Sequence, residues 1–214
     1  MKNINKETWR YIDNNIAVKK NLLDGIVNSR ALAKKIIKEL KINGSLNAVV
    51  SAIRRYEGKA EEKENLAKKY SLLKKSRLST KTKLASILLT KTANTRKKLA
   101  ELYTKIDPQS GETLRVFEVA ANIKIIIDEK NLKPVESIFT TQEIVGKEKN
   151  IGELNITYSS DITTVPGVFA LLSNELAAND ISIIDSMICH QEHIIIVSEK
   201  DIKRAFDVIF TLLH

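Results

Sequence analysis

The sequence predicts an α+β chain: an all-α front domain followed by two βαββαβ units. Three observations lead there. Apolar residues before position 58 recur at i, i+3, i+7 spacing, the period of amphipathic helices. After position 77, β-branched runs alternate with helical stretches. The rear half also repeats itself at an offset of 70 residues, so one supersecondary unit is used twice.

The 214 residues suffice for two or three small domains. No apolar run approaches the ~18 residues that span a bilayer, and the N-terminus is polar and charged. A soluble cytoplasmic protein with no membrane partner is expected. A single cysteine forms no internal disulfide, which fits a reducing compartment. The net charge of +9 is uneven: residues 1–80 hold 19 Lys/Arg against 8 Asp/Glu, residues 81–214 hold 16 against 18. Such asymmetry points to an anionic partner, most often nucleic acid. A lysine-rich solvated helical surface gives the same count.

The front domain is read as residues 1–58. Trp9, Ile12 and Ile16 give an apolar stripe on a helix from Glu7 to Ile16. Leu22, Leu23 and Ile26 surround Gly25 in a short helix and its exit. Asn28 is the expected N-cap of the next helix, with Leu32, Ile36, Ile37 and Leu40 buried and Lys34, Lys35, Lys38 and Lys41 in water. Asn43-Gly44 ends it, and Ser45 caps a helix from Leu46 to Glu57. There Leu46, Val49, Val50 and Ile53 face inward, and Asn47, Ser51, Arg54 and Arg55 share the opposite face. Two helices joined by a short Gly-containing turn, the second with an exposed Asn/Ser/Arg row, outline a helix-turn-helix. Arg can reach guanine or phosphate and Asn can reach adenine. The stretches IVNSRALAKKIIKEL and AVVSAIRRY resemble the helix-turn-helix segment of archaeal-type regulators. That resemblance implies DNA as partner; RNA and a purely structural helical domain stay open. Residues 59–76 read as a charged linker helix, with Leu66, Tyr70 and Leu73 as a thin stripe.

The repeat places Ile125–Ile127 on Ile195–Val197, Glu129–Lys133 on Glu199–Lys203, and Leu99, Leu102 and Ile106 on Phe169, Leu172 and Leu176. The first unit, residues 77–150, then has strands at Leu78–Lys91, Leu114–Ala120, Ile123–Asp128 and Glu143–Lys147. Its helices are Thr95–Ile106 and Glu129–Phe139, and Asn122 is the expected turn. The second unit, residues 151–214, has a strand at Glu153–Ser160 and a Pro166-Gly167 turn opening a helix, Val168–Ala178. Strands Ile181–Ile188 and Ile194–Val197 and a closing helix, Glu199–Leu213, follow. No fourth strand ends it: the slot is empty, or another segment fills it as interleaved units allow.

That element order, the Pro-Gly placement and the stretch Asp180-Ile181-Ser182-Ile183 resemble the ACT domain, a ferredoxin-like module that senses amino acids in aspartokinases. The resemblance covers about 60 residues of the second unit and makes the rear half a tandem ACT-like repeat. It implies a small-molecule effector, an amino acid, held by Val165, Gly167, Val168, Asn179, Asp180 and Ile181 at an interface between units. The first unit has Thr92-Ala93-Asn94 and no Pro-Gly, so at most one competent loop per chain is expected.

Cys189, His190 and His193 could supply three zinc ligands, but their spacing fits no structural zinc pattern, and a solvated hairpin tip is expected. No metal or cofactor is called for. No phosphate loop, dinucleotide fingerprint, nucleophile elbow or paired-histidine metalloprotease motif is present, so the chain is read as a non-enzyme. The expected function is a ligand-responsive, DNA-binding transcriptional regulator, a homodimer or higher even oligomer. The alternative is a non-DNA-binding regulatory subunit of an amino-acid metabolic enzyme.

Overall fold

The computed structural model describes residues 3–42, 45–56, 71–107 and 110–213. The chain divides into two compact units, Met1–Lys68 and Lys69–His214.

The front unit is helical. Asn3 caps α1 (Ile4–Asn14) by accepting from the Asn5 and Lys6 amides. Asn15 leaves helical geometry at φ −118°, and α2 (Ile16–Leu23) starts on a new axis. The expected stripe therefore stops short, and Ile16 is 65% exposed instead of buried. Gly25, at φ +74°, turns the chain out of α2 and leaves Ile26 exposed. Asn28 caps α3 (Ser29–Leu40) with bonds from Arg30 and Ala31 at 3.0 Å. Ser45 accepts from the Ala48 amide at the start of α4 (Leu46–Tyr56). Ile12, Leu22, Ile36, Val49 and Ile53 form the core with Tyr11 and Tyr56. Leu40, expected inside, is exposed at the last turn of α3. The Trp9 indole donates to the Ala52 carbonyl at 2.9 Å and the Tyr56 hydroxyl to Asp13 at 2.6 Å, tying α1 to α4. The Asn43-Gly44 turn and the linker helix as far as Tyr70 lie outside the described residues.

The rear unit holds one six-stranded sheet. Its strands are β1 (Arg77–Thr90), β2 (Leu114–Glu118), β3 (Asn122–Asp128), β4 (Ile144–Thr157), β5 (Ile183–Cys189) and β6 (Glu192–Ser198). Its helices are α5 (Ala93–Lys105), α6 (Leu132–Glu136), α7 (Val168–Ala178) and α8 (Ile202–Leu213). The strand order is β2-β3-β1-β4-β6-β5, and every neighbouring pair is antiparallel. The first module therefore reads β2-β3-β1-β4. The second reads β5-β6-β4-β1, with the Arg77–Lys81 half of β1 in the slot that lacked a strand. Arg77 pairs with Thr157 and Lys81 with Glu153 in that slot. The strands read separately as Glu143–Lys147 and Glu153–Ser160 are one 14-residue strand, so the division at 150/151 lies inside β4. Asn122 opens β3 instead of forming the turn, and the helix read as Glu129–Phe139 is a 3₁₀ turn followed by the five-residue α6.

Helices cover one face of the sheet. Leu102, Ile106 and Val135 pack on Ile87, Leu89, Ile123 and Ile125 in the first module. Leu172, Leu176, Ile209 and Leu213 pack on Leu154, Ile156, Ile195 and Val197 in the second, joined by Leu72 and Leu73. Gly152 is needed on this face because a Cβ there would meet Ile202 Cδ1 at 2.9 Å. On the other face the sheet curls on itself. Arg115 on β2 pairs with Glu153 on β4 at 3.1 Å, across two intervening strands. Lys124 on β3 pairs with Asp185 on β5, across three. Strands about 4.8 Å apart would hold these groups too far apart on a flat sheet. Leu84, Ile126, Ile151, Ile194 and Ile196 fill the curl. Ile151→Ala should lower stability by about 2–4 kcal/mol, while Val145→Ala on the exposed half of β4 should change it by less than about 0.5 kcal/mol. Urea midpoints of the two variants test this.

Candidate functional site

Asn47, Ser51, Arg54 and Arg55 are all exposed on α4. Three of the four come together: Asn47, Ser51 and Arg54 line a cavity of about 380 Å³ with Val50 and with Asn28, Ser29 and Arg30 at the start of α3. Arg55 does not line it. The contribution of α3 was not read from the sequence, where Asn28 registered only as a cap. Two guanidinium groups, with no carboxylate in the lining, suit an anion.

The second candidate lies at the start of α7. Asp161 holds the preceding 3₁₀ turn by accepting from the Thr163 amide at 2.9 Å and its hydroxyl at 2.7 Å. The bonds from Thr163 keep the Asp161 carboxyl below its ordinary range. Gly167 sits at φ +82°, a left-handed geometry that favours glycine, and caps α7 with no side-chain bond. The first-turn amides of α7 thus carry no side-chain cap, and Val168 is buried beneath them. Asn179, Asp180 and Ile181 lie at the far end of the same helix; Asp180 has φ +54° and Ile181 is buried. Eleven residues at 1.5 Å each separate the two groups by about 16 Å. Within one chain the six predicted residues fall into two separate groups, one at each end of α7.

The matching helix of the first module is closed. Thr92 and Thr95 form a reciprocal capping box at the start of α5. Beside it, the Glu143 carboxylate accepts from Asn94 at 2.6 Å, Lys98 at 2.7 Å and the Thr140 amide at 2.8 Å. The Lys98 bond leads in holding Glu143 down to about 2. Nothing in the sequence signals this network, whose partners lie up to 49 positions apart.

His193 corrects the expected solvated tip. The turn takes only His190 and Gln191, so His193 is already a strand residue on the helix side of β6. It is fully buried, while Cys189 and His190 are exposed. Its Nε2 lies 2.9 Å from Ser186 Oγ, its Nδ1 3.3 Å from the Tyr158 hydroxyl, and its ring 5.5 Å from that of Phe169. Burial lowers its pKa to about 4 and raises that of Tyr158. Among the described residues, no three metal-ligating side chains gather.

No family model matches the sequence, and no curated protein does. Solved structures do match. The regulatory subunit of aspartate kinase from Thermus thermophilus aligns at TM-score 0.52 and 12% identity, over 64% of this chain and 97% of that one. Aspartate kinase from Synechocystis aligns at 0.51 and 14%, over 64% and 26%. The enzyme from Clostridium acetobutylicum aligns at 0.50 and 13%, over 64% of this chain. This chain spans about a third of that enzyme's length, 34%. The likeness is one of fold: the rear unit is ACT-like, and the neighbours are a regulatory subunit of aspartate kinase and two aspartate kinases. Among the described residues, no helix is long and apolar enough to cross a membrane.

Between about pH 6.5 and 4 the unfolded chain binds a proton at His193 that the folded chain does not. Stability from this residue is therefore lost as pH falls through that window, by about 2–3 kcal/mol. Urea unfolding at pH 7.0 and 4.5 should show the wild type losing that much more than His193→Gln; equal losses would assign the effect to other groups.

Proposed function

We propose that the chain is an effector-responsive regulator. Its rear unit takes up an amino acid, and its α4 face grips DNA. The observation that carries the reading is the exposed row on α4, where Asn47, Ser51 and Arg54 converge on one cavity and Arg55 stands alongside. A recognition helix needs such a row, with Arg and Asn for base edges and phosphates.

The effector half rests on α7. Amides without a side-chain cap at a helix start attract a carboxylate, and Gly167 lets it approach the backbone. Asn179, Asp180 and Ile181 lie too far along α7 to touch the same ligand from the same chain. A ligand that meets both groups takes them from two copies, so effector uptake and homodimerisation, or assembly into a higher even oligomer, go together. Two copies also present two DNA-binding faces, whose spacing the effector can shift by favouring one arrangement. The closed start of α5 supports at most one effector per chain.

A second reading has its own support. The Thermus thermophilus neighbour is a regulatory subunit of aspartate kinase covered over 97% of its length. The chain would then regulate an amino-acid metabolic enzyme by contact.

DNA binding is tested by retention of a duplex at increasing salt. Arg54→Ala with Arg55→Ala should weaken it by about 1–3 kcal/mol and flatten its salt dependence. No retention by the wild type at low salt would leave the second reading. A thermal-shift screen of the amino acids should find one that stabilises the chain, bound one per chain by calorimetry, with the shift abolished in Gly167→Val. If no amino acid shifts the transition, the rear unit has no such effector.

A further inference from the structure

The cavity between α3 and α4 has a composition that the α4 row alone does not explain. Six of its seven lining residues are polar: Asn28, Ser29, Arg30, Asn47, Ser51 and Arg54. Two are arginines, from different helices, and none is acidic. Among the described residues, neither Arg30 nor Arg54 has a carboxylate within ion-pairing distance. Like charges drawn toward one concave site repel each other unless an anion stands between them. The α3 helix start does not supply that site, because Asn28 already accepts from two of its amides. The attraction comes from the side chains.

We propose that this cavity is a clamp for one phosphate group, with Arg30 and Arg54 as its two charged jaws and Ser51 and Asn47 as neutral donors. A guanidinium meets a phosphate through paired N–H groups, and two of them can hold its oxygens from opposite sides. A carboxylate would be over-matched by two arginines, whereas a phosphodiester offers two free oxygens and a phosphate monoester three. The clamp rests on the proposed DNA reading when the phosphate belongs to a nucleic-acid backbone. The same chemistry would also take free phosphate.

The full-length chain is tested with Arg30→Ala, which lies outside the α4 row. Duplex binding at about 50 mM salt should weaken by about tenfold, to the same extent for unrelated sequences, and the log–log salt slope should fall by about one unit. Inorganic phosphate should compete with the duplex and perturb the amide resonances of Arg30 and Ser51. If Arg30→Ala leaves duplex affinity and slope unchanged while Arg54→Ala with Arg55→Ala weakens them, the clamp is wrong and the DNA reading stands. If no duplex is retained but phosphate perturbs those amides in the wild type and not in Arg30→Ala, the clamp stands as a free-phosphate site and the DNA reading falls. If neither duplex nor phosphate binds, both fall.

Discussion

β1 and β4 belong to both modules at once. Each runs 14 residues, more than twice the usual length of about six. They pair antiparallel about Leu84 and Ile151, so the first half of each lies against the second half of the other. In each second half four consecutive residues are buried, and the same pattern recurs in both strands. Among the described residues, each first half has a strand partner on one side only, because β3 reaches no further than Leu84 and β6 no further than Ile151. Lys83 and Asn150, both at φ +56°, mark the step where the partners change. Those free halves carry Lys81, Lys83, Lys147 and Lys149, charges that discourage further strand pairing. Neither module owns a complete sheet, so loosening the central pair removes a strand from both.

The curl adds a second constraint. Glu153 is 2% exposed, and burying its charge is costly even with Arg115 beside it. Among the described residues its Oε2 has no hydrogen-bond partner, and neither do Arg115 Nε and Asn155 Oδ1. By general energetics such a pair contributes little net stability. Its geometric consequence is larger. A one-residue slip of β4 would turn Glu153 toward the apolar helices, away from Arg115, and would bring Leu154 and Ile156 out of the core. The pair thereby penalises wrong register across the long strands on which both modules depend.

The repeat was legible because burial enforces it: Ile125 and Ile127 face the helices in one module as Ile195 and Val197 do in the other, Leu102 and Leu172 cover them alike, and Ile126 and Ile196 both face the curl. The sharing of strands was not legible. The first half of β1, RLSTKTK, shows no buried face of its own, and its partners, from Glu153 for Lys81 to Thr157 for Arg77, lie 72 to 80 positions away. The equivalent strand residues Lys83 and Asn150 are offset by 67, and the three extra residues fall between β4 and α7, outside any periodic signal. The exposed face of α4 could be read because its inward residues, Val49 and Ile53, fix the opposite side. The α3 half of the cavity could not, since the packing of two helices decides which residues meet. His193 was misread for a similar reason. Whether a turn takes two residues or five is settled by backbone geometry, and two leave His193 inside the strand.

One fold used twice thus carries opposite chemistry at its helix starts. Thr92, Thr95 and Glu143 close the first module, where a side chain caps the Thr95 amide and a carboxylate of the chain itself accepts from the Asn94 and Lys98 side chains. Gly167 leaves the second without a side-chain cap, on a turn held by Asp161. A duplicated module under the same packing demands would keep its cores alike, as these have stayed alike. Its helix starts can diverge, because exposed loops contribute little to the shared strands. If one start is filled by the chain and the other is open, any ligand at that position has a single address per chain.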